Sequence, residues 1–111
     1  MESAKAITRF VRISPRKARY AAALMRGRDV KAAALQLAYS KLRGGRLLKK
    51  TLDSAVANAE TQLDARREEL RVVEVRVDPG PILRRAKPRS RGSSVPVNKR
   101  TSHFTVVVAK G

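Results

Sequence analysis

The chain has 111 residues and contains no cysteine, no tryptophan, two tyrosines and two phenylalanines. This length suits one domain with a modest core built mainly from Ala, Val, Leu and Ile, and the lack of cysteine excludes disulfides, thiolate zinc sites and cysteine nucleophiles. Lys and Arg number 26 against 9 Asp and Glu, so the net charge of +17 at pH 7 predicts a polyanionic partner, with nucleic acid ahead of an anionic membrane.

The positive charge is concentrated at the two ends of the chain. Seven of the nine acids lie within residues 51–81, whereas residues 82–111 hold eight basic residues and no acid. A merely solvated surface would mix the two signs, so this segregation indicates a binding surface. No run is long and apolar enough to span a membrane, and MESAKAITRF lacks the apolar centre of a signal peptide, so we expect a cytosolic protein.

A strand and a helix are predicted in the first 27 residues. Residues 4–13 combine β-branched residues and an aromatic residue in a pattern typical of strands. In SPRKARYAAALMRG, Ser14 suits the N-cap, Pro15 suits the first helical position and Gly27 suits the stop. The basic face of this helix, within residues 16–26, has no acids nearby to pair with, which favours contact with RNA over a face that is simply solvated. The residues on its predicted buried face are Ala18, Ala21, Ala22 and Met25.

Two further helices are predicted before residue 64. Asp29 is expected to cap VKAAALQLAYSKL, which would end at Gly44-Gly45, because GGR lacks the spacing of a phosphate-binding loop and is interpreted as a helix break. The third helix carries an apolar stripe with helical spacing, which we interpret as core rather than as a partner-binding groove. The stripe consists of Leu48, Leu52, Ala55, Val56, Ala59 and Leu63.

From Leu70 the periodicity changes to that of strands. Alternating valines from Val73 to Val77, with polar residues between them, predict a half-buried strand. DPGP, residues 78–81, is either a turn that ends the sheet or a kink where the chain leaves it. TSHFTVVVAK, residues 101–110, resumes the strand pattern.

Residues 82–100, ILRRAKPRSRGSSVPVNKR, carry seven basic residues and no acid between two predicted strands. With Gly92 supplying the reversal, the simplest topology is one long antiparallel hairpin. An arm of about 16 residues would measure about 53 Å, against a radius of gyration of about 13 Å for a compact domain, so the outer part must project. We therefore predict a single domain, residues 1–111, in which residues 79–99 form an extended basic hairpin that is marginal alone and ordered by a partner.

Arginine provides five of the seven cations in this segment. Its guanidinium group makes bidentate phosphate contacts and stacks on bases. The sequence lacks both the aromatic platforms of base-reading RNA modules and the ligand spacing of zinc fingers. The chemistry therefore favours recognition of shape and phosphate in a large folded RNA.

The sequence contains no catalytic or metal-binding constellation. His103 is the single histidine, and we interpret it either as a polar residue at the edge of the sheet or as an RNA contact. Asp64 and the pair Glu68-Glu69 lie among arginines, which favours a solvated patch of salt bridges over paired catalytic carboxylates. We predict no enzyme activity, no metal, no cofactor and no small-molecule substrate.

Five motifs, in order and nearly end to end, resemble a known family. They are RISPRKAR (12–19), SAVANAE (54–60), VDPGP (77–81), PRSRG (88–92) and KRTSHFTVVV (99–108). Each motif is weak alone, but the set resembles the bacterial type of the large-subunit ribosomal protein twenty-two family. The resemblance implies an α+β fold in which three helices pack on a three-stranded antiparallel sheet with a long protruding β-hairpin.

The resemblance also implies a structural constituent of the large ribosomal subunit, in the cytoplasm, that aids subunit assembly. Its partners would be large-subunit ribosomal RNA, neighbouring large-subunit ribosomal proteins and, where the hairpin tip lines the exit tunnel, the nascent peptide. The residues implied to bind ribosomal RNA are Arg12, Ser14, Arg16, Lys17, Arg19, Arg84, Arg85, Lys87, Arg89, Arg91, Lys99, Arg100, Thr101, Ser102 and His103. The residues implied at the tunnel tip are Ile82, Leu83, Arg84, Pro88, Arg89, Ser90, Arg91 and Gly92.

The chain departs from the family pattern at two places, and two alternative functions are also considered for it. Pro79 stands where the family usually has an acid, which predicts a stiffer bend, and SSVPVN (93–98) replaces a more charged descending arm. The alternative function is that of a DNA-bending architectural protein with β-arms, in which Pro96 and its flanking valines would wedge between base steps. A cationic membrane-active protein would need a more apolar helix face than the alanine-rich first helix offers.

Overall fold

A computed structural model describes residues 3–88, 92 and 94–110, with the backbone alone at residues 85, 87 and 94–97. The elements are β1 (Ser3–Val11), α1 (Pro15–Ala22), α2 (Val30–Tyr39), α3 (Arg43–Gln62), a 3-10 turn (Arg67–Glu69), β2 (Leu70–Pro79), β3 (Leu83–Pro88), β4 (Ser94–Lys99) and β5 (Ser102–Lys110). An antiparallel sheet has the strand order β1-β5-β2, and β3 pairs with β4 in a separate hairpin. The predicted α+β fold is confirmed.

The core lies between one face of the sheet and the three helices. Alternate residues of β5, such as Phe104 and Val106, are fully buried, as the period of two in a strand requires. They meet the apolar stripe of α3, in which Leu48 and Leu52 are fully buried. α3 packs across β1 and β5, while α1 packs against β2 and α3. The helical stripe predicted from the sequence is therefore core.

Helix α1 begins as predicted but ends early. The side chain of Ser14 accepts a hydrogen bond from the backbone N–H of Lys17 at 3.3 Å, and Pro15 occupies the first turn. The prediction that the helix continues to Gly27 is wrong, because α1 ends at Ala22. After Ala22 the backbone hydrogen bonds join residues three apart instead of four, as in the bond of 3.2 Å from the N–H of Met25 to the carbonyl of Ala22. Gly27 ends this turn with a φ of 71°.

Gly44 and Gly45 lie inside α3 rather than in a helix break, so that prediction is wrong. α2 ends at Tyr39, and Asp29, although at its N-cap position, makes no side-chain cap hydrogen bond. A Cβ on Gly44 would lie 3.3 Å from the Cα of Ala18, which is tighter than an ordinary contact. Close packing of α3 on α1 thus favours glycine here, although glycine costs about 1 kcal/mol of helix propensity relative to alanine.

Strand β2 contains a bulge that the predicted alternation does not include. Val72 pairs with Val108 and Glu74 pairs with Val107, so Val73 is the extra residue and its side chain is 54% exposed. The prediction of a regular alternation from Val73 onward is therefore wrong at its first position. Beyond the bulge, Val75 and Val77 are buried as expected.

The hairpin continues the line of the central sheet after a short interruption. The ladder between β2 and β5 reaches Pro79, the N–H of Gly80 donates to the carbonyl of Thr101 at 2.9 Å, and pairing resumes at Leu83. Residues 80–82 thus separate the predicted long hairpin into two ladders. The molecule measures 62 × 25 × 16 Å with a radius of gyration of 16.9 Å, well above the value of about 13 Å for a compact domain of this length.

Candidate RNA-binding surface

Two clefts flank the beginning of α1. The first has a volume of about 730 Å³ and lies between α1, the start of α3 and the base of the hairpin. It is lined by Arg12, Ile13, Ser14, Lys17, Tyr20, Leu42, Arg43, Gly44, Asn98, Lys99 and Arg100. The second has a volume of about 450 Å³ and is lined by Ser14, Pro15, Arg16, Arg19, Pro79 and Arg100. Ser14 and Arg100 belong to both clefts, and no acidic residue among those the structure describes lines either one.

Hydrogen bonds from side-chain hydroxyls to backbone carbonyls hold the segments around the clefts together. The fully buried Ser102 donates its hydroxyl hydrogen to the carbonyl of Ile13 at 2.7 Å, which ties the segment before α1 to the start of β5. Thr101, which is 4% exposed, donates to the carbonyl of Pro81 at 2.6 Å and so closes the base of the hairpin. The start of α1 and the base of the hairpin are therefore fixed relative to each other.

The basic residues of the first cleft are exposed and unpaired. They are Arg12, Lys17, Arg43, Lys99 and Arg100, and within the described part of the chain none of them forms an ion pair. The ion pairs of the described residues join Lys31 to Glu68, Lys49 and Arg67 to Asp53, Arg76 to Asp78, and Lys110 to Glu69. The start of α1 adds the positive end of a helix dipole. This arrangement attracts anions and leaves the donors of the cleft available to them.

Arg19 has a structural partner as well as an exposed position. Its Nη2 donates to the carbonyl of Val77 at 3.1 Å, and Nη2 of Arg26 donates to the carbonyl of Val75 at 3.0 Å. Both acceptors lie on β2, which is an edge strand of the sheet, so these guanidinium groups satisfy carbonyls that the sheet leaves free. Because a guanidinium group has five N–H donors, Arg19 retains donors for a phosphate in the second cleft.

His103 is not at an edge of the sheet, so that interpretation is wrong. β5 is the central strand, and Nδ1 of the half-buried His103 accepts a hydrogen bond from the N–H of Phe10 at 3.1 Å. The ring of Phe10 stands edge-on to the imidazole, with 5.0 Å between the ring centroids. Contact of Thr101, Ser102 and His103 with RNA stays a prediction, and the hydroxyls of Thr101 and Ser102 are turned to internal partners.

The predicted hairpin residues lie partly within the described structure. Ile82 is 44% exposed, Leu83 is half-buried, and Arg84, Pro88 and Gly92 are exposed. Gly92 has a φ of 73°, as a reversal built on glycine requires. Outside the described residues are Arg89, Ser90 and Arg91, and the side chains of Arg85 and Lys87 are likewise not described.

Besides the buried Ile13, four residues of the first cleft were not singled out from the sequence. Tyr20 lies on the exposed side of α1, three residues after Lys17, so the helical period could have identified it. Leu42, Arg43 and Asn98 reach the cleft from segments far apart in the chain. No local pattern predicts that these segments meet.

The sequence model of the ribosomal protein L22p/L17e family matches residues 6–109, nearly the whole chain. The chain belongs to this family. Among its relatives is the large ribosomal subunit protein uL22 of Protochlamydia amoebophila, 70% identical over 109 residues that cover 98% of each chain. The proteins of the same name from Chlamydia muridarum and Chlamydia abortus are 58% and 57% identical over 106 residues, which cover 96% of each chain.

Membership of the L22p/L17e family confirms the family predicted from the sequence. It makes the chain a ribosomal protein, of a family that is structural rather than catalytic. Large-subunit proteins of bacteria work in the cytoplasm, which confirms the predicted localisation. Among the described residues, no helix is long and apolar enough to cross a membrane, and no three residues of the kinds that bind metal are grouped as a site.

Proposed function

We propose that this L22p/L17e-family chain is a structural constituent of the large ribosomal subunit that binds large-subunit ribosomal RNA. The two clefts beside α1 and the basic hairpin of residues 79–99 form the binding surface. In this proposal the protein aids subunit assembly by holding segments of RNA on both sides of α1. The tip of the hairpin lines the exit tunnel, where it meets the nascent peptide.

The proposal rests on the described residues that line the two clefts, none of which is acidic. Five exposed cations line the first cleft without an ion pair in the described structure. Their mutual repulsion costs free energy unless a polyanion neutralises it, and a phosphate backbone does so with release of its counterions. None of the described ion pairs involves a residue that lines either cleft, so the charge of the clefts is available to a partner.

The exposed residues contact RNA directly, and the buried ones position them. Arg12, Arg16, Lys17, Lys99 and Arg100 are all exposed around the start of α1. The hydroxyls of Thr101 and Ser102 hold the carbonyls of the two neighbouring segments, so these residues act by fixing the spacing between α1 and the hairpin.

The shape of the molecule supports insertion of the hairpin into RNA. β3 and β4 pack mainly against each other, and the long axis of 62 Å is more than twice the next dimension. A two-stranded ribbon is marginally stable in water, so RNA on its two sides would stabilise it. The body outside the RNA would then be free to meet neighbouring ribosomal proteins.

The test compares two triple variants that lose the same charge. Arg12, Lys17 and Arg100, all in the clefts, are changed to Ala in one variant. The matched control changes Lys31, Lys49 and Lys110, which form ion pairs and line neither cleft. Binding to transcribed large-subunit ribosomal RNA is measured by filter retention from 0.05 to 0.5 M KCl (about one decade of salt).

We expect the cleft variant to bind about 100-fold more weakly at about 0.1 M salt. Its slope of log affinity against log salt should fall by about 2 to 3, at about 0.7–0.9 per lost phosphate contact. The control should change little. Equal losses in both variants would mean that binding follows net charge alone. A preference for duplex DNA over folded RNA at raised salt would favour the DNA-bending alternative.

A further inference from the structure

The first cleft combines charge with an exposed aromatic ring. Tyr20, one of only two tyrosines in the chain, lines the cleft and is 59% exposed. Leu42, 43% exposed, lines the same cleft from the start of α3. Within the described part of the chain the hydroxyl of Tyr20 makes no hydrogen bond. The cleft thus has an apolar, π-bearing surface beside its cations.

We propose that an unpaired nucleotide of the RNA enters the first cleft and stacks its base on Tyr20. This inference rests on the proposed RNA binding and adds the kind of RNA feature that the cleft accepts. The sugar-phosphate backbone on either side of the nucleotide would lie along Lys17, Arg43 and Arg100.

The chemistry of the walls favours a nucleotide over a bare phosphate. A phosphate alone would use the cations but would leave the exposed ring and leucine in water, whereas a base covers them. Stacking of a base on an aromatic side chain is a recurring mode in proteins that bind single-stranded RNA, because every base has a π-face. Asn98, exposed in the same cleft, provides an amide donor and acceptor for the edge of a base.

The dimensions of the cleft favour a nucleotide that has left a helix. A volume of about 730 Å³ is within the range of about 300–1,000 Å³ for sites that enclose small molecules. In a regular RNA duplex the bases are stacked inside, and only the backbone and groove edges reach a protein surface. A bulge or loop is therefore required for a base to reach Tyr20.

Fluorescence can report on Tyr20 directly because the chain has no tryptophan. The Tyr39→Phe variant keeps Tyr20 as its single tyrosine, and Tyr20→Phe keeps Tyr39, which is 80% exposed and lines neither cleft. On titration with large-subunit ribosomal RNA, we expect the emission of Tyr20 to fall at least twofold more than that of Tyr39. Absorption by the RNA affects both variants equally, so the difference reports stacking.

Affinity gives an independent readout. Tyr20→Leu keeps the apolar bulk and removes the π-face, and we expect it to bind about 5- to 100-fold more weakly, the range for loss of one stacked base. Its salt slope should stay unchanged, since no phosphate contact is lost. Tyr20→Phe should bind within twofold of the original chain, and Tyr39→Leu is the matched control. Thermal unfolding of each variant verifies that the exposed substitution has left the fold intact.

The outcomes separate this inference from the proposed function. If RNA binds with its normal salt slope while Tyr20→Leu retains full affinity and Tyr20 is not quenched, stacking is refuted and RNA binding stands. If the RNA does not bind the original chain, the proposed function itself fails. A blunt RNA duplex without unpaired nucleotides should not quench Tyr20, and equal quenching by the duplex would overturn the requirement for an unpaired base.

Discussion

Gly80 sits at the junction of the sheet and the hairpin, where the structure leaves no room for a side chain. A Cβ at this position would lie 2.5 Å from Oγ1 of Thr101 and 3.2 Å from Cε1 and Nε2 of His103. Thr101 is buried, and its hydroxyl donates to the carbonyl of Pro81 at 2.6 Å. Gly80→Ala therefore requires Thr101 to move and to lose this hydrogen bond.

The expected loss for Gly80→Ala is about 2 kcal/mol of unfolding free energy. Overpacking costs about 1–3 kcal/mol, and loss of the part-buried hydrogen bond from Thr101 to Pro81 adds about 0.5–1.5 kcal/mol. Alanine has less conformational entropy than glycine in the unfolded chain, which stabilises the folded variant by about 0.4–1 kcal/mol. Movement of Thr101 would further reduce the loss of unfolding free energy. For a chain of this length the loss corresponds to a fall in Tm of about 10 °C.

A double-mutant cycle with Thr101→Ala tests the stated cause. Thr101→Ala alone should cost about 1 kcal/mol for its hydrogen bond. In the Thr101→Ala background the clashing oxygen is absent, so Gly80→Ala should cost at least about 1 kcal/mol less than in the original chain. Urea unfolding followed by far-ultraviolet circular dichroism gives the four free energies. Costs that add within about 0.5 kcal/mol would refute the contact as the cause.

Two further predictions concern the buried serine and one surface ion pair. Ser102→Ala should cost about 1–2 kcal/mol of unfolding free energy, measured with urea, because it leaves the Ile13 carbonyl without its donor. The RNA affinity of the folded variant should change less than about threefold. A stable variant with much weaker RNA binding would instead indicate that Ser102 contacts RNA directly. Two contacts lower the pKa of Glu68 below 4.5: the larger is a hydrogen bond from its own backbone N–H, and the next is the contact with Lys31. Because Lys31→Met removes only the second contact, it should raise that pKa only part of the way back. Carboxyl NMR titration measures it, and an unchanged pKa would argue against the ion pair. Because the folded-state pKa is lowered, the contribution of Glu68 to stability is present above about pH 4.5 and is lost as the pH falls through the folded pKa.

Local chemistry predicted the elements whose signals are local. Ser14 and Pro15 start α1 as expected, because an N-cap and a first-turn proline act within four residues of the backbone. The stripe from Leu48 onward is core, because a period of 3.6 fixes one face of a long helix. The charge segregation predicted a basic surface, and the structure gathers the basic residues around the start of α1.

The features that were missed depend on contacts between distant segments. The sequence around Gly44 predicts a helix break, and only the packing of α1 against Gly44 shows why a glycine is present there. The exposure of Val73 follows from a bulge that the pairing of β2 with β5 produces. In the sequence, Thr101 and Ser102 are polar residues beside a basic segment, which suggests contact with RNA. In the structure their hydroxyls donate to the carbonyls of Pro81 and Ile13. Sequence neighbours alone do not determine which carbonyl a hydroxyl will meet.

The strand order of the sheet has a consequence for the timing of folding. β1 and β2 are not neighbours in the sheet, and each forms its ladder with β5, which follows every other described strand along the chain. Ser3 pairs with Ala109, so the sheet closes over almost the full length of the polypeptide, an arrangement that slows folding. While the chain is being synthesised, its helices can form early, but both outer strands must wait for the final nine-residue strand. A translation product cut short before residue 102 would lack the three-stranded sheet, and the valines that this sheet buries would be exposed.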